Sequence, residues 1–210
     1  MVRAKICGIT NIEDALFCVR CGVDALGLIF YHKSPRSITM ASAKKIIKEI
    51  GPFVSIVGVF VDAPKEEVHA IAKELRLTAL QFHGGESPAY CNEFAKSYRV
   101  IKAIFPDQEN LAAECKRYSV DAYLFDMSQE QKAKGIKKIP KDVLEKIAPI
   151  AQEKKVIVSG GLTPENIDSV LSIKNVYGVD AASGVESVPG KKDEQLLKAF
   201  LTKVKIYETT

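Results

Sequence analysis

Val156-Ile157-Val158-Ser159-Gly160-Gly161-Leu162-Thr163-Pro164 and Val179-Asp180-Ala181-Ala182-Ser183-Gly184 are short apolar runs that each open onto a polar, glycine-bearing turn. They come late in a chain whose β-rich runs alternate eight times with amphipathic helical ones. The β-rich runs centre near Ile6, Leu28, Val57, Leu80, Ile101, Tyr123, Ile157 and Val179. Most are separated by roughly 20–30 residues, the length of one strand–helix unit. Such alternation leaves an open doubly wound sheet or a closed barrel. The open sheet carries its glycine fingerprint after the first strand. A barrel builds its phosphate site after strands seven and eight. The glycines at 160, 161 and 184 sit in those two late units, so the chain reads as α/β class, a single (β/α)8 TIM barrel, with residues 1–210 as one domain.

Working outward, Val54-Ser55-Ile56-Val57-Gly58-Val59-Phe60 is nearly continuously apolar, as expected of a parallel strand covered by helices. Helices are expected over 13–21, 41–49, 65–75, 88–97, 108–117, 141–153, 164–172 and 193–204. Thr10 with Glu13 has the spacing of a capping box. Ser87-Pro88 and Thr163-Pro164 place a cap residue before a proline at the first helical position. No linker or composition break divides the chain.

Hydrophobic residues make up 47% and charged residues 27% of the 210, with a formal net charge of +4, an ordinary globular balance. No like-charge run suggests nucleic acid, whereas a small anionic substrate suits the mild positive charge. The five cysteines are Cys7, Cys18, Cys21, Cys91 and Cys115. Cys18 and Cys21 have the spacing of half a zinc site, but no second pair or histidine cluster completes it, and helix packing explains them. No metal and no cofactor are expected. Free thiols point to a reducing compartment. Met1-Val2-Arg3-Ala4-Lys5 lacks the apolar core of a signal peptide, and no stretch approaches the ~18 apolar residues of a membrane span. A cytoplasmic protein without membrane partners is expected.

Barrels place their chemistry at the carboxyl ends of strands. Those ends read Lys5 and Cys7, Arg36, Asp62, Gln81 and His83, Lys102, Asp126, Ser159-Gly160-Gly161, then Asp180 and Ser183-Gly184. Glycines let backbone amides approach phosphate oxygens, and a helix end adds a favourable dipole. Plain tight turns are the alternative for either glycine site alone. Cys7 faces the same side as Lys5 because side chains alternate. An ammonium about 7 Å away, at an effective dielectric near 20, favours thiolate by at most ~2 kcal/mol. That brings a thiol of pKa ~8.5 toward the range of base catalysis; inert packing is the alternative. Asp126 follows the apolar Ala122-Tyr123-Leu124-Phe125. Partly desolvated there, it is expected to stay protonated long enough to donate, although a helix cap or an ion pair also accounts for it. A base and an acid across one pocket make the proton-transfer pair of an aldose–ketose isomerisation. Arg36, in a proline-stiffened loop, is aimed at a carboxylate, and His83 is read as a polar wall residue.

Lys5-Ile6-Cys7-Gly8-Ile9-Thr10, Ser34-Pro35-Arg36, Val57-Gly58-Val59-Phe60, Gln81-Phe82-His83-Gly84 and Leu124-Phe125-Asp126 resemble the phosphoribosylanthranilate isomerase family. So do Ser159-Gly160-Gly161-Leu162-Thr163-Pro164-Glu165-Asn166 and Val179-Asp180-Ala181-Ala182-Ser183-Gly184-Val185-Glu186. The resemblance implies a cofactor-free Amadori rearrangement in tryptophan biosynthesis. In it N-(5-phosphoribosyl)anthranilate becomes 1-(2-carboxyphenylamino)-1-deoxyribulose 5-phosphate. It implies that Asp126 protonates the ribose ring oxygen and that Cys7 removes the C2 proton. Arg36 would hold the anthranilate carboxylate, with Lys5, Gln81, His83 and Asp180 as further substrate-binding residues. Ser159, Gly160, Gly161, Ser183 and Gly184 would hold the phosphate. Partners reduce to this small phosphorylated substrate, and the assembly to a monomer or homodimer.

One segment departs. Where the family carries Gly-Gly-x-Gly-Lys-Thr-Phe-Asp-Trp, this chain has Lys132-Ala133-Lys134-Gly135-Ile136-Lys137-Lys138-Ile139-Pro140. A sugar-phosphate-binding barrel without turnover, or with altered specificity, therefore stands as the alternative. The sister isomerase of a histidine-pathway aminoaldose uses two aspartates, and Cys7 stands in place of the first.

Overall fold

The computed structural model describes residues 1–106, 110–128, 130–131, 134 and 138–207. Eight parallel strands close into a barrel, each paired with the next in sequence and the last with the first. They are β1 (Arg3–Cys7), β2 (Ala25–Ile29), β3 (Ser55–Phe60), β4 (Ala79–Phe82), β5 (Arg99–Ile104), β6 (Ala122–Phe125), β7 (Val156–Val158) and β8 (Gly178–Ala181). Every centre read from the sequence falls inside one of them.

Around them lie α1 (Ile12–Arg20), α2 (Met40–Ile50), α3 (Lys65–Leu75), α4 (Pro88–Ala95), α5 (Leu111–Lys116), α6 (Lys141–Glu153), α7 (Asp168–Leu171) and α8 (Glu194–Tyr207). The helices bury stripes at helical spacing: Val68, Ile71, Ala72 and Leu75 on α3, and Leu197, Phe200, Leu201 and Val204 on α8. These i, i+3, i+4, i+7 positions form one face, which packs on the outward residues of the strands. The α3 and α6 bounds agree with the sequence reading. The capping box does not: Asn11 caps α1, accepting from Asp14 N, while the Thr10 hydroxyl donates to Gly190 O at 2.6 Å. Asn11 competes successfully because its carbonyl oxygen reaches the third residue on. Helix 164–172 shrinks to α7, with a turn over 164–167 ahead of it. Residues 108 and 109 of the helix expected over 108–117, and most of the atypical 132–140 loop, lie outside the described residues.

Inside the barrel, Val57, Ile101, Ala103, Ala122, Leu124 and Ile157 make a separate apolar cluster, with Ala25 and Ala79 against it. They alternate along their strands with Ile56, Val100, Tyr123 and Val156, which join the larger core beneath the helices. The same two-residue period carried toward the carboxyl ends puts Gln81 and His83 above Ala79, Asp126 above Leu124, and Ser159 above Ile157. Alternation therefore sets the polar mouth directly on an apolar floor.

Between β8 and α8 the chain builds more than the glycine turn read from the sequence. A single 3₁₀ turn (Ser183–Val185) leads to an antiparallel hairpin of β9 (Glu186–Val188) and β10 (Lys191–Lys192). At Gly184 an added Cβ would lie 1.9 Å from Leu162 O, so the turns after β7 and β8 touch backbone to backbone. Gly184→Ala forces that contact apart, and overpacking of this kind costs ~1–3 kcal/mol. Each kcal/mol moves the Tm of a chain this size by roughly 2–4 °C. A thermal melt is expected to show a drop of several degrees; an unchanged Tm would show that the two turns separate freely.

Candidate active site

The two glycine turns form one surface at the mouth. Gly160 and Gly161 have φ of +91° and +71°, a left-handed conformation that side chains disfavour. Asn166 fastens the turn, donating to Gly161 O at 2.8 Å and accepting from Thr163 N at 2.9 Å. A Cβ at Gly160 would lie 3.1 Å from Asp126 Oδ1. The turns expected to hold phosphate thus border the expected acid.

On the other side, β1 and β8 pair in a register that sets Lys5 opposite Asp180. Lys5 Nζ donates to Asp180 Oδ1 at 2.9 Å, and both side chains are buried. Asp180 Oδ2 lies 3.5 Å from Ser159 Oγ. Lys5 Nζ and Cys7 Sγ approach the same point over Gly27, so the ammonium acts on the thiol at short range. Burial works against the Lys5 ammonium, but Asp180 and Cys7 outweigh it and raise the pKa. Gly27, opposite Cys7 in β2, makes the room: a Cβ there would lie 2.7 Å from Cys7 Sγ and 3.0 Å from Lys5 Nζ. The expectation of an easily ionised thiol fails in direction. Burial pushes the Cys7 thiol up, and Lys5 and Lys192 offset only part of that rise. Desolvation wins because the site is enclosed.

Asp126 caps the opposite wall. Its Oδ1 accepts from Met127 N at 2.7 Å, and its Oδ2 lies 3.2 Å from His83 Nε2. Gln81 Nε2 lies 2.9 Å from His83 Nδ1. With the amide donating, Nδ1 is the acceptor and the ring proton sits on Nε2, facing Asp126. Gln81 Oε1 is buried without a hydrogen-bond partner among the described residues. The Ser159-Gly160 turn joins the two halves, with Ser159 Oγ 3.5 Å from Asp180 Oδ2 and a Cβ at Gly160 3.1 Å from Asp126 Oδ1.

Arg36 packs over Gly8 and is gripped sideways by Glu186, through Nε at 3.0 Å and Nη2 at 2.7 Å. Nε and Nη2 are taken up by Glu186, while no bond from Nη1 is seen among the described residues. Burial opposes the Glu186 carboxylate, but hydrogen bonds from Arg36 and Lys192 overcome it and lower its pKa. That stabilisation is present above the ordinary carboxylate value of ~4.3 and is lost as pH falls through the lowered folded value.

Sequence reasoning quoted Glu186 without a role and missed Lys192, whose side chain is 1% exposed and bonded to Glu186. A lysine in a Gly-Lys-Lys stretch looks solvated until the hairpin folds over it. Lys102, read as a mouth residue, instead alternates with interior Ile101 and Ala103. It points to the helix layer, where it pairs with buried Glu86 at 3.1 Å and donates to Gly84 O. Asp62 accepts from Gly85 N at 2.7 Å and braces the loop that carries His83.

The family model for N-(5'-phosphoribosyl)anthranilate (PRA) isomerase matches residues 4–203. The chain belongs to the phosphoribosylanthranilate isomerase family. The isomerase of Azotobacter vinelandii is 39% identical over 220 residues, covering 97% of this chain and 98% of that one. A crystal structure of a family member in complex with reduced 1-(o-carboxyphenylamino)-1-deoxyribulose 5-phosphate superimposes with a TM-score of 0.84 at 38% identity, covering 98% of this chain and 99% of that one. One of monomers generated from the dimeric Thermotoga maritima isomerase gives 0.86 at 37% identity, with the same coverage.

The raised Cys7 pKa has a direct readout. Iodoacetamide labelling of Cys7, resolved by peptide mass spectrometry, is expected to rise with a midpoint above the ~8.5 of an unperturbed thiol. Lys5→Met should move the midpoint higher still. A wild-type midpoint below ~8.5 would mean that the ammonium outweighs burial.

Proposed function

We propose that this chain carries out the Amadori rearrangement of N-(5-phosphoribosyl)anthranilate, the aldose–ketose isomerisation of tryptophan biosynthesis, as one catalytic barrel acting in the reducing cytoplasm. The observation that carries the reading is the shared mouth. The Cys7–Lys5–Asp180 and Gln81–His83–Asp126 groups both border the Ser159-Gly160 turn, beside the backbone contact between Gly184 and Leu162.

In this reading the backbone at Gly160, Gly161, Ser183 and Gly184, with Ser159, takes the phosphate. Arg36 takes the anthranilate carboxylate. Asp126 gives its proton to the ring oxygen as the C1–O bond breaks, and the nitrogen lone pair forms the C1=N bond of a Schiff base. His83 orients that carboxyl. The Cys7 thiolate removes the C2 proton, the C2–H electrons form C1=C2 as the C1=N π pair returns to nitrogen, and the enolamine tautomerises to the C2 ketone. C1 is reduced as C2 is oxidised, so the redox change stays within the substrate and needs no cofactor. Because burial raises the thiol, the thiolate is a minor form at neutral pH, maintained by Lys5.

Loss of anthranilate fluorescence on mixing with freshly made substrate tests the activity; no loss would favour a barrel that binds without turnover. Asp126→Asn is expected to collapse kcat with KM changed only a few-fold, and Cys7→Ala to cut kcat by ~10²–10⁴. A Cys7→Ala enzyme with most of its turnover would remove the thiol from the mechanism.

A homodimer is the assembly that one further observation favours. Phe53, between α2 and β3, is 98% exposed at the floor of the barrel. It lines a cavity of about 610 Å³ whose walls mix apolar Val57, Ile101 and Ile157 with charged Arg3, Asp24 and Arg99. A self-complementary contact in which each copy seats its Phe53 in the other's cavity buries both. Phe53→Glu is expected to yield monomers by light scattering with activity kept, and a monomeric wild type would overturn the assembly.

A further inference from the structure

Lys192 is a buried cation with no role in the chemistry above. From β10 it reaches under the mouth. Its Nζ donates to Cys7 O at 2.7 Å, to Glu186 Oε1 at 2.8 Å and to Ala182 O at 3.3 Å. Each acceptor belongs to a different arm of the site: the strand end that carries the thiol, the carboxylate that grips Arg36, and the residue before the Ser183-Gly184 turn. The lysine is itself held. Its backbone N donates to Asp14 Oδ2 at 2.8 Å, and Thr10 donates to Gly190 O at 2.6 Å. Asp193 N donates to Val185 O at 3.0 Å, closing the base of the hairpin. A flexible ammonium stem would leave such a site for water unless buried acceptors satisfied all three of its donors.

We propose that Lys192 is a positioning residue that fixes the Cys7 backbone directly and Arg36 through Glu186, so that the base and the carboxylate grip keep one spacing. The inference rests on the proposed roles of Cys7 and Arg36. Cys7 ends β1, where the ladder no longer fixes its carbonyl, so the Nζ contact sets the last peptide of the strand and hence the direction of the Cβ–Sγ bond. A displacement of about 1 Å at a reacting group costs on the order of 10²-fold in rate. The Arg36 arm acts on binding instead, because the carboxylate is held alike before and after proton transfer.

The two arms separate by substitution. Lys192→Met keeps the stem and leaves Glu186 paired with Arg36, so no lone charge is buried. It is expected to lower kcat by at least about tenfold with a smaller change in KM. It should also raise the midpoint of Cys7 labelling by iodoacetamide, because Lys192 joins Lys5 in opposing the effects of burial and Asp180 on that thiol. Glu186→Gln keeps the contact to Cys7 O and loosens Arg36, so KM should rise by about tenfold with kcat and the labelling midpoint nearly kept. A Lys192→Met enzyme with wild-type kcat and labelling midpoint overturns the proposal, as does a Glu186→Gln enzyme that loses kcat rather than affinity. Should Lys192→Met fail to fold, the Glu186→Gln result decides alone. A wild-type chain without turnover would instead sink the proposed activity, and the labelling midpoints would still report whether Lys192 acts on Cys7.

Discussion

Closing a parallel sheet on itself requires the last strand to find the first, and in this chain that pairing brings Lys5 against Asp180 across 175 positions of sequence. An ion pair this deep is costly to form, since both groups leave water, and costly to break, since either alone would be an uncompensated buried charge worth ~3–5 kcal/mol. The register of β1 on β8 is therefore bound to the chemistry of the mouth. A slip of β1 by one residue would turn Lys5 to the helix layer and Ile6 into the interior, leaving Asp180 buried without its partner. Cys7, two residues along from Lys5, inherits its direction from the same pairing.

The rest of the rim repeats this solution. Arg36 and Lys192 share the Glu186 carboxylate, with backbone carbonyls taking up the second cation, and Lys102 pairs with Glu86. Each ties a loop to a strand end: the β2 loop to the hairpin after β8, and the β4 loop to β5. Charge here contributes geometry more than net stability, because desolvation cancels most of the attraction. The loops are held in one arrangement, as preorganised catalysis requires. Against that background Gln81 Oε1, without a hydrogen-bond partner among the described residues, is an exception. A buried acceptor left open at a barrel mouth is a group kept for something other than the fold.

The same enclosure opposes easy ionisation of Cys7. Lys5 Nζ and the thiol crowd the same space over Gly27, nearer than strand alternation alone implied, yet burial still has the larger effect. A dry site strengthens every electrostatic contact made in it and penalises every charge placed in it. The thiol gains a strong partner and a high pKa from one cause.

The barrel, and several of the strand ends that border its mouth, were legible in the chain read alone. Strand positions, helix stripes and the late glycine turns are local signals, set by side-chain periodicity and by where backbone must come close, and they survive reading one residue at a time. Cys7, Asp126, Ser159 and Asp180 were legible because each ends a strand in register with its apolar run. Tertiary structure decided what those residues touch. No local pattern foretells that Asn11 rather than Thr10 caps α1, that Lys102 turns outward to Glu86, or that Lys192 returns to the Cys7 carbonyl from 185 residues away. It also decided the direction of the Cys7 pKa, because desolvation depends on everything packed around a group, and that surrounding exists only once the barrel has closed.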